Sequence, residues 1–177
     1  MGHYKKYFIL FIKENYSSES ANIIAHTENH YKIISTDIAF AKSSKNPIDK
    51  RLDFCAYFLA LIKTLDEKGE SFENIRKICL QITTEYVQPK NKIQEFFKRF
   101  LPKLTNTWLG QRLIKVFHEM VSVNTNADGF IANIITDKQK TFGLGYGIDI
   151  IECGICKLFK KHNYSKYASI LCEVDEI

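Results

Sequence analysis

The sequence predicts an α+β protein, in which a helical N-terminal part precedes a small antiparallel sheet with closing helices. Apolar residues recur every three to four positions over much of residues 1–121, whereas they alternate from Phe130 onward. A polar, turn-rich run at 122–129 separates the two patterns. The chain has 177 residues, enough for one sizeable core, so we expect a single domain with a helical part at 1–121 and a hairpin part at 130–177.

Start and stop signals divide the helical part. Ser18 can cap a helix that runs through Ala41, and Asn46-Pro47 offers a capping side chain followed by a proline at the first helical position. Residues 52–65 are apolar on nearly all sides, which indicates a central helix buried in the core.

One further helix is expected after this central helix. Gly69 suits a helix C-cap, Ser71 can cap the next helix, and Pro89 ends it. We expect the central helix and this following helix to pack as an antiparallel pair. The buried stripe predicted for the following helix is Ile75, Ile78, Cys79, Ile82 and Tyr86.

Two strands, at 130–136 and 141–152, are predicted to form a hairpin through a four-residue connection at 137–140. The second strand alternates large and small residues, so we expect one face in the core and an open opposite face. A packed helix or a bound ligand could approach that open face equally well. The predicted core face is Phe142, Leu144, Tyr146, Ile148 and Ile150, and the open face is Gly143, Gly145, Gly147 and Asp149.

A two-stranded hairpin is marginally stable alone and leaves an unpaired edge. Tyr7–Ile12 is the one earlier apolar run that is short and rich enough in β-favouring residues to supply another strand. We therefore expect that segment, or a second copy of the chain, to pair with the hairpin edge.

Three of the five cysteines lie close together near the end of the sequence: Cys153, Cys156 and Cys172. They could hold zinc with His162 as a fourth ligand, but His162 falls on the other side of the helix from Cys156, so we expect no metal. Alternatively, Cys153 could be a reactive thiolate at a helix start, or simply a small buried residue. Cys55 and Cys79 fit ordinary core positions.

The region that ends the chain resembles the L-2-amino-thiazoline-4-carboxylic acid hydrolase family. The resemblance rests on the strand end Ile150-Ile151-Glu152-Cys153, the following helix at 154–162, and the run Leu171-Cys172-Glu173-Val174-Asp175. Members of that family continue past the position of Asp175 through a further helix and strand. The resemblance therefore implies that the chain is naturally short or that the sequence is incomplete.

The resemblance also implies a reaction, the hydrolytic opening of a cyclic isothiourea carboxylate to a carbamoyl-cysteine product. It implies Cys153 as the nucleophile or activating thiol, Glu152 and Asp175 as acid-base groups, and Cys172 as a supporting or resolving thiol. For substrate binding we expect Asp149, Gly145, Gly147 and Tyr146, without a cofactor. A binding module that has lost turnover is the competing interpretation.

Charge and targeting signals bear on partners. The net charge of +5 suits a small carboxylate substrate, and residues 87–117 carry seven basic residues against one acid, interleaved with Phe96, Phe97, Phe100 and Trp108. Such a segment can contact anionic membranes or nucleic acid, but we favour a solvated basic face with its aromatic residues in the core. We therefore expect neither membrane nor nucleic-acid partners. We expect cytoplasmic localisation, because no signal peptide or membrane-spanning run is recognisable.

Overall fold

The computed structural model describes residues 4–87, 107–123, 126–136 and 146–174. These residues are mostly helical and include one two-stranded antiparallel sheet, which confirms the predicted α+β class. The helices are α1 (Lys5–Tyr16), α2 (Ser20–Asp37), α3 (Arg51–Glu67), α4 (Phe72–Val87), α5 (Trp108–Val121), α6 (Gly154–Lys161) and α7 (Ala168–Val174), and the strands are β1 (Ile131–Thr136) and β2 (Tyr146–Glu152).

The described residues fall into two compact units. The first unit contains residues 4–43, 50–87 and 155–174. The second unit contains residues 44–49, 107–123, 126–136 and 146–154. The division does not follow the sequence order, because the short segment between α2 and α3 belongs to the second unit. The single-domain assignment stays a prediction.

Helix α3 is the central helix of the first unit, as the sequence predicts. Eleven of its seventeen residues are buried. It packs most extensively against α2, so the expected pairing with α4 is its smaller contact. The predicted C-cap is confirmed: Gly69 has φ +84°, its N–H donates to the Asp66 carbonyl, and the Glu70 N–H donates to the Leu65 carbonyl. This is the Schellman arrangement, which favours glycine.

The expectation of a strand at Tyr7–Ile12 is wrong, because these residues lie within α1. A short apolar run does not distinguish strand from helix by itself. Here Tyr7, Phe8, Phe11 and Ile12 lie on one helical face, and all four are buried. The Phe8 ring centroid is 4.6 Å from that of Phe58 on α3, in an edge-to-face contact.

A buried polar cluster joins α1, α2 and α3. Lys5 is only 8% exposed, and its Nζ lies 3.0 Å from Glu28 Oε2 and 3.9 Å from the Tyr31 ring centroid. Asp53 accepts hydrogen bonds from the hydroxyls of Tyr4 at 2.6 Å and Tyr31 at 2.5 Å. Burial, and then the hydrogen bond with Asp53, raise the pKa of Tyr31 to about 12. The cluster satisfies charges that would be costly to bury alone.

In the second unit, β1 and β2 pair antiparallel from Ile131 opposite Glu152 to Thr136 opposite Tyr146. Helix α5 packs against β1, and His118 Nδ1 accepts the Ile134 N–H at 3.1 Å. The expectation that one face of the second strand is core is wrong for Ile148 and Ile150, which are 46% and 42% exposed. Ala132, directly opposite Ile150, is fully buried, because the covering helix lies over β1.

The start predicted for α3 at Pro47 is also wrong, because the helix begins at Arg51. Asn46 does cap a turn, since its Oδ1 accepts the Ile48 N–H at 3.0 Å. Its Nδ2 donates to the carbonyl oxygens of Phe130 at 3.0 Å and Val121 at 3.3 Å. The Asn46 side chain therefore joins the end of α5 to the approach to β1, within the second unit.

None of the described helices combines the length and the hydropathy that a bilayer crossing needs.

Candidate functional site at the strand-to-helix junction

The candidate site lies where β2 ends and α6 begins. Glu152 is the last residue of β2, Gly154 is the first of α6, and Cys153 stands between them. Glu152 and Cys153 are both half-buried, whereas Cys55 and Cys79 are buried. Burial raises the pKa of the Cys79 thiol, which keeps it protonated and unreactive. Cys153 is therefore placed as a partly accessible thiol at a helix start, as predicted.

The junction is closely packed around Gly154. A Cβ added at Gly154 would lie 3.1 Å from the Phe130 ring and 3.2 Å from the Asp128 carbonyl oxygen. The Phe130 N–H in turn donates to Asp49 Oδ1 at 2.8 Å, and Asp49 Oδ2 accepts the Ser44 hydroxyl at 2.5 Å. Asp49 is fully buried, so this carboxylate fixes the start of β1 beside the junction.

Asp49 was not predicted as a functional residue from the sequence. Asn46-Pro47 indicated only a helix cap, and the turn that follows Asn46 carries the Asp49 carboxylate. An acidic residue three positions after an Asn cap gives no sign that it will accept a hydrogen bond from a backbone 81 residues away.

A β-bulge decides which side chains share a face with Glu152. Ala132 lies opposite Ile150, but the next residue, Ile131, lies opposite Glu152, so Ile151 is the extra residue. Directly opposite residues point to the same face of a sheet. Ile131 and Asn133 are two residues apart on β1, so they share a face. Their partners on β2 are Glu152 and Asp149, so these two residues share that face as well.

Regular alternation would have placed these two carboxylates on opposite faces. The bulge instead places them on one face, opposite two residues of the partner strand whose Cα atoms are about 7 Å apart. Gly147, opposite Ile135, belongs to the same face. The hairpin thus brings together Asp149, Glu152 and Gly147, three of the residues that the sequence suggested for the site.

Apart from Cys153, the other predicted site residues are not described in full or lie in the first unit. Tyr146 is the first residue of β2, but the structure does not describe its side chain. Gly145 and Asp175 lie outside the described residues. Cys172 is exposed on α7, in the first unit, with its Sγ 3.9 Å from the Ala168 carbonyl oxygen. A meeting of Cys153 with Cys172 and Asp175 stays a prediction.

The residues considered for a metal have other neighbours. His162 Nε2 lies 3.0 Å from Asp37 Oδ2, and Lys161 Nζ lies 2.8 Å from Asp37 Oδ1. The hydrogen bond from Lys161 lowers the pKa of Asp37, and burial lowers that of His162. The described ranges contain no group of three or more His, Cys, Asp or Glu side chains arranged to hold an ion.

Glu173, next to Cys172, has a structural partner. Its carboxylate accepts three hydrogen bonds from Arg76 on α4: from Nε to Oε1 at 3.0 Å, from Nε to Oε2 at 2.8 Å, and from Nη2 to Oε2 at 2.5 Å. This contact lowers the pKa of Glu173 and ties α7 to α4. An acid held in this way is a poor candidate for proton transfer.

An open groove of about 530 Å³ lies between α1 and α4 in the first unit. Its lining contains no cysteine and none of the residues predicted for the site. The residues are Phe11, Asn15, Arg76, Lys77, Leu80, Gln81, Thr84 and Glu85.

The fold and the junction define an α+β protein that carries a cysteine and two carboxylates beside a β-bulge. Comparison with family models, with curated proteins and with solved structures found no match. The resemblance to the thiazoline carboxylic acid hydrolases therefore stays an interpretation of the sequence.

Proposed function

We propose that the chain is a hydrolase that opens a small cyclic amidine carboxylate, with Cys153 as nucleophile and Glu152 as acid-base group. The observation that supports this proposal best is the shared face of Asp149 and Glu152 beside Cys153. An amidine is basic and positively charged when protonated, so the Asp149 carboxylate suits such a ring, while Glu152 serves in proton transfer. A substrate ring held there would lie next to the one half-buried thiol of the second unit.

The reaction divides into two balanced steps. The Cys153 thiolate adds to the amidine carbon, the ring carbon–nitrogen bond breaks, and the leaving nitrogen takes a proton from Glu152. Water then adds to the resulting thioimidate and returns a proton to Glu152. The carbon–sulfur bond to Cys153 breaks, so the thiolate is restored and a carbamoyl-cysteine-type product leaves. One water molecule is consumed for each ring opened.

Cys153 directly precedes Gly154, the first residue of α6. The first N–H groups of a helix have no intrahelical partner and carry partial positive charge, which suits the negative charge of an attacking sulfur. Asp149 binds the cationic amidine, and Gly147 leaves room on that face.

Turnover of L-2-amino-thiazoline-4-carboxylate, followed by chromatography of the product, tests the proposal. Cys153→Ser should lower kcat by at least about a thousandfold, since a hydroxyl in place of a thiolate removes the nucleophile. Cys156→Ser, one helical turn further on, is the matched control and should keep activity within about threefold. Full activity in Cys153→Ser, or no turnover in the unaltered protein, contradicts the proposal.

Thiol labelling tests the activation of Cys153 independently of the substrate. Cys156 is exposed, whereas Cys153 is half-buried, so exposure alone favours labelling of Cys156. We expect iodoacetamide at neutral pH to modify Cys153 first and Cys55 and Cys79 last, as read by mass spectrometry of peptides. Slower labelling of Cys153 than of Cys156 would mean that the helix N-terminus does not activate it.

Ligand binding without turnover is the second candidate, and the groove between α1 and α4 favours it. Its volume is within the range of small-molecule sites, and Lys77 offers a cation for a carboxylate beside the amides of Asn15 and Gln81. Calorimetric titration with the thiazoline acid separates the two candidates. Binding that Lys77→Ala abolishes and Cys153→Ser leaves intact favours the groove; the reverse pattern favours the junction.

We also propose that the protein is located in the cytoplasm. None of the five cysteines is in a disulfide, and a reactive thiol is maintained most easily in a reducing environment.

A further inference from the structure

Among the described residues, nothing covers a wide apolar strip on helix α5. Only Gly110 and Val121 of its fourteen residues are buried. Four other apolar side chains follow one another at helical spacing along one flank, which we call the α5 stripe. The α5 stripe consists of Leu109, Leu113, Val116 and Met120, all of them exposed, with Leu113 at 62%.

The ends and edges of the α5 stripe carry the residues of an interfacial helix. Trp108 is the first residue of α5 and is 75% exposed. We favoured a core position for the aromatic residues of this region, and that prediction is wrong for Trp108. Phe96, Phe97 and Phe100 lie outside the described residues. The Arg112 guanidinium carbon lies 5.8 Å from the Trp108 ring centroid. Lys115, about one turn after Arg112, is exposed on the polar side of the helix.

We propose that α5 docks flat on an anionic lipid bilayer surface. Fourteen residues make a helix about 21 Å long, enough to lie in the interface rather than cross it. The α5 stripe would enter the boundary between headgroups and acyl chains, Trp108 would sit at headgroup level, and Arg112 and Lys115 would reach lipid phosphates. Glu119, four residues after Lys115, lies on the same polar side as Arg112 and Lys115 and opposes the attraction.

Charge complementarity selects this occupant over others. Within α5, Arg112 and Lys115 outnumber the one acid, Glu119, and residues 87–121 carry seven basic residues against two acidic ones in sequence. This positive balance suits an anionic surface. Nucleic acid would satisfy the basic residues but would leave Leu109, Leu113 and Val116 in water. A second copy of the chain would bring the same positive charges together. The proposal departs from the expectation of no membrane partner, and it does not depend on the proposed hydrolase activity.

Trp108 is the single tryptophan of the chain, so its fluorescence reports directly on α5. The experiment titrates the full chain with vesicles of phosphatidylglycerol and phosphatidylcholine, and with vesicles of phosphatidylcholine alone. We expect a saturable blue shift with the anionic vesicles, at least about tenfold weaker affinity for the neutral ones, and weakening by salt.

Matched variants test each part of the helix. Leu113→Glu should weaken vesicle affinity by at least about tenfold, because a buried leucine becomes a buried charge. Arg112→Gln and Lys115→Gln should each weaken it by about fivefold. Ile33→Glu is the control, since Ile33 is 65% exposed on α2 in the first unit, and it should leave affinity unchanged. Circular dichroism checks that each variant keeps its helix content.

Three outcomes would overturn the proposal. A blue shift that rises with protein concentration without lipid assigns α5 to a second copy. A change with single-stranded oligonucleotide but not with vesicles assigns it to nucleic acid. Equal loss of vesicle affinity in Leu113→Glu and Ile33→Glu shows that binding does not use α5.

Discussion

Helices α3 and α5 are both rich in apolar residues, but they place them in opposite environments. Eleven of the seventeen residues of α3 are buried, whereas two of the fourteen residues of α5 are. In the first unit, apolar residues form the core directly. In the second unit, the buried contacts of Asn46 and Asp49 hold the backbone, and much apolar side-chain surface stays exposed.

This difference separates two meanings of an amphipathic pattern. A helix that is apolar all round, like α3, has one stable environment, which is a core. A helix with one apolar flank, like α5, shows only that the flank needs a cover, and the cover can be protein or lipid. The pattern therefore fixed the role of α3 from sequence and left that of α5 open.

The largest expected effect in this comparison comes from the core of the first unit. Phe58 on α3 is fully buried, with ring centroids of Phe8 at 4.6 Å and Phe54 at 4.8 Å. Phe58→Ala should lower the free energy of unfolding by about 4 kcal/mol, through lost apolar contact and the cavity left behind. Leu113→Ala on α5 should change it by less than about 0.5 kcal/mol, because Leu113 is exposed.

Hydrogen exchange read by mass spectrometry measures both changes by region. Phe58→Ala should speed exchange in α1, α2 and α3. A loss above about 2 kcal/mol in Leu113→Ala would mean that the α5 stripe is covered by protein in solution, and the contrast between the two helices would fail.

The next largest effect is expected at Asp49 in the second unit. Asp49→Ala should cost about 3 kcal/mol, because the buried Phe130 N–H and the Ser44 hydroxyl lose a charged acceptor. Exchange should rise in β1 and at the strand-to-helix junction. Asp49→Asn keeps one acceptor oxygen and should cost less. Equal exchange in Asp49→Ala and the unaltered protein would show that Asp49 does not hold the junction.

Local signals in the sequence predicted much of the fold. The apolar run at 52–65 predicted the central helix, Gly69 predicted its C-cap, and the alternation after Phe130 predicted the hairpin. Each of these depends on residues that are close in sequence, so the pattern and the structure refer to the same contacts. The placement of Cys153 between strand and helix follows from the same local signals.

Long-range contacts account for what the sequence did not predict. Tyr7–Ile12 became helical because its apolar residues meet Phe58 and its neighbours on α3, which a six-residue run does not reveal. The exposure of Ile148 and Ile150 depends on which strand α5 covers. The bulge at Ile151 depends on strand register, and it decides that Glu152 and Asp149 share a face. The candidate site was thus predicted by residue type, but not by geometry.

The smallest expected effect concerns pH and the polar cluster of the first unit. The pKa of Tyr31 is raised to about 12 from an ordinary value of about 10, because burial and the hydrogen bond to Asp53 both disfavour the phenolate. A raised folded-state pKa means that the stabilisation is complete below pH 10. It is lost as the pH rises from 10 towards 12, since the unfolded chain releases its proton first.

Denaturation at pH 8, 10 and 11 measures this loss in the unaltered protein and in Tyr31→Phe. The variant should be less stable by about 1 kcal/mol at pH 8, because one hydrogen bond to Asp53 is lost. It should also lose less stability between pH 10 and pH 11, because it has one phenol fewer to titrate. Burial also raises the pKa of Tyr4 and Tyr57, so a part of the slope should persist. Parallel pH profiles for the two proteins would show that Tyr31 ionises alike in the folded and unfolded chains, and that its contact with Asp53 contributes no pH-dependent stability.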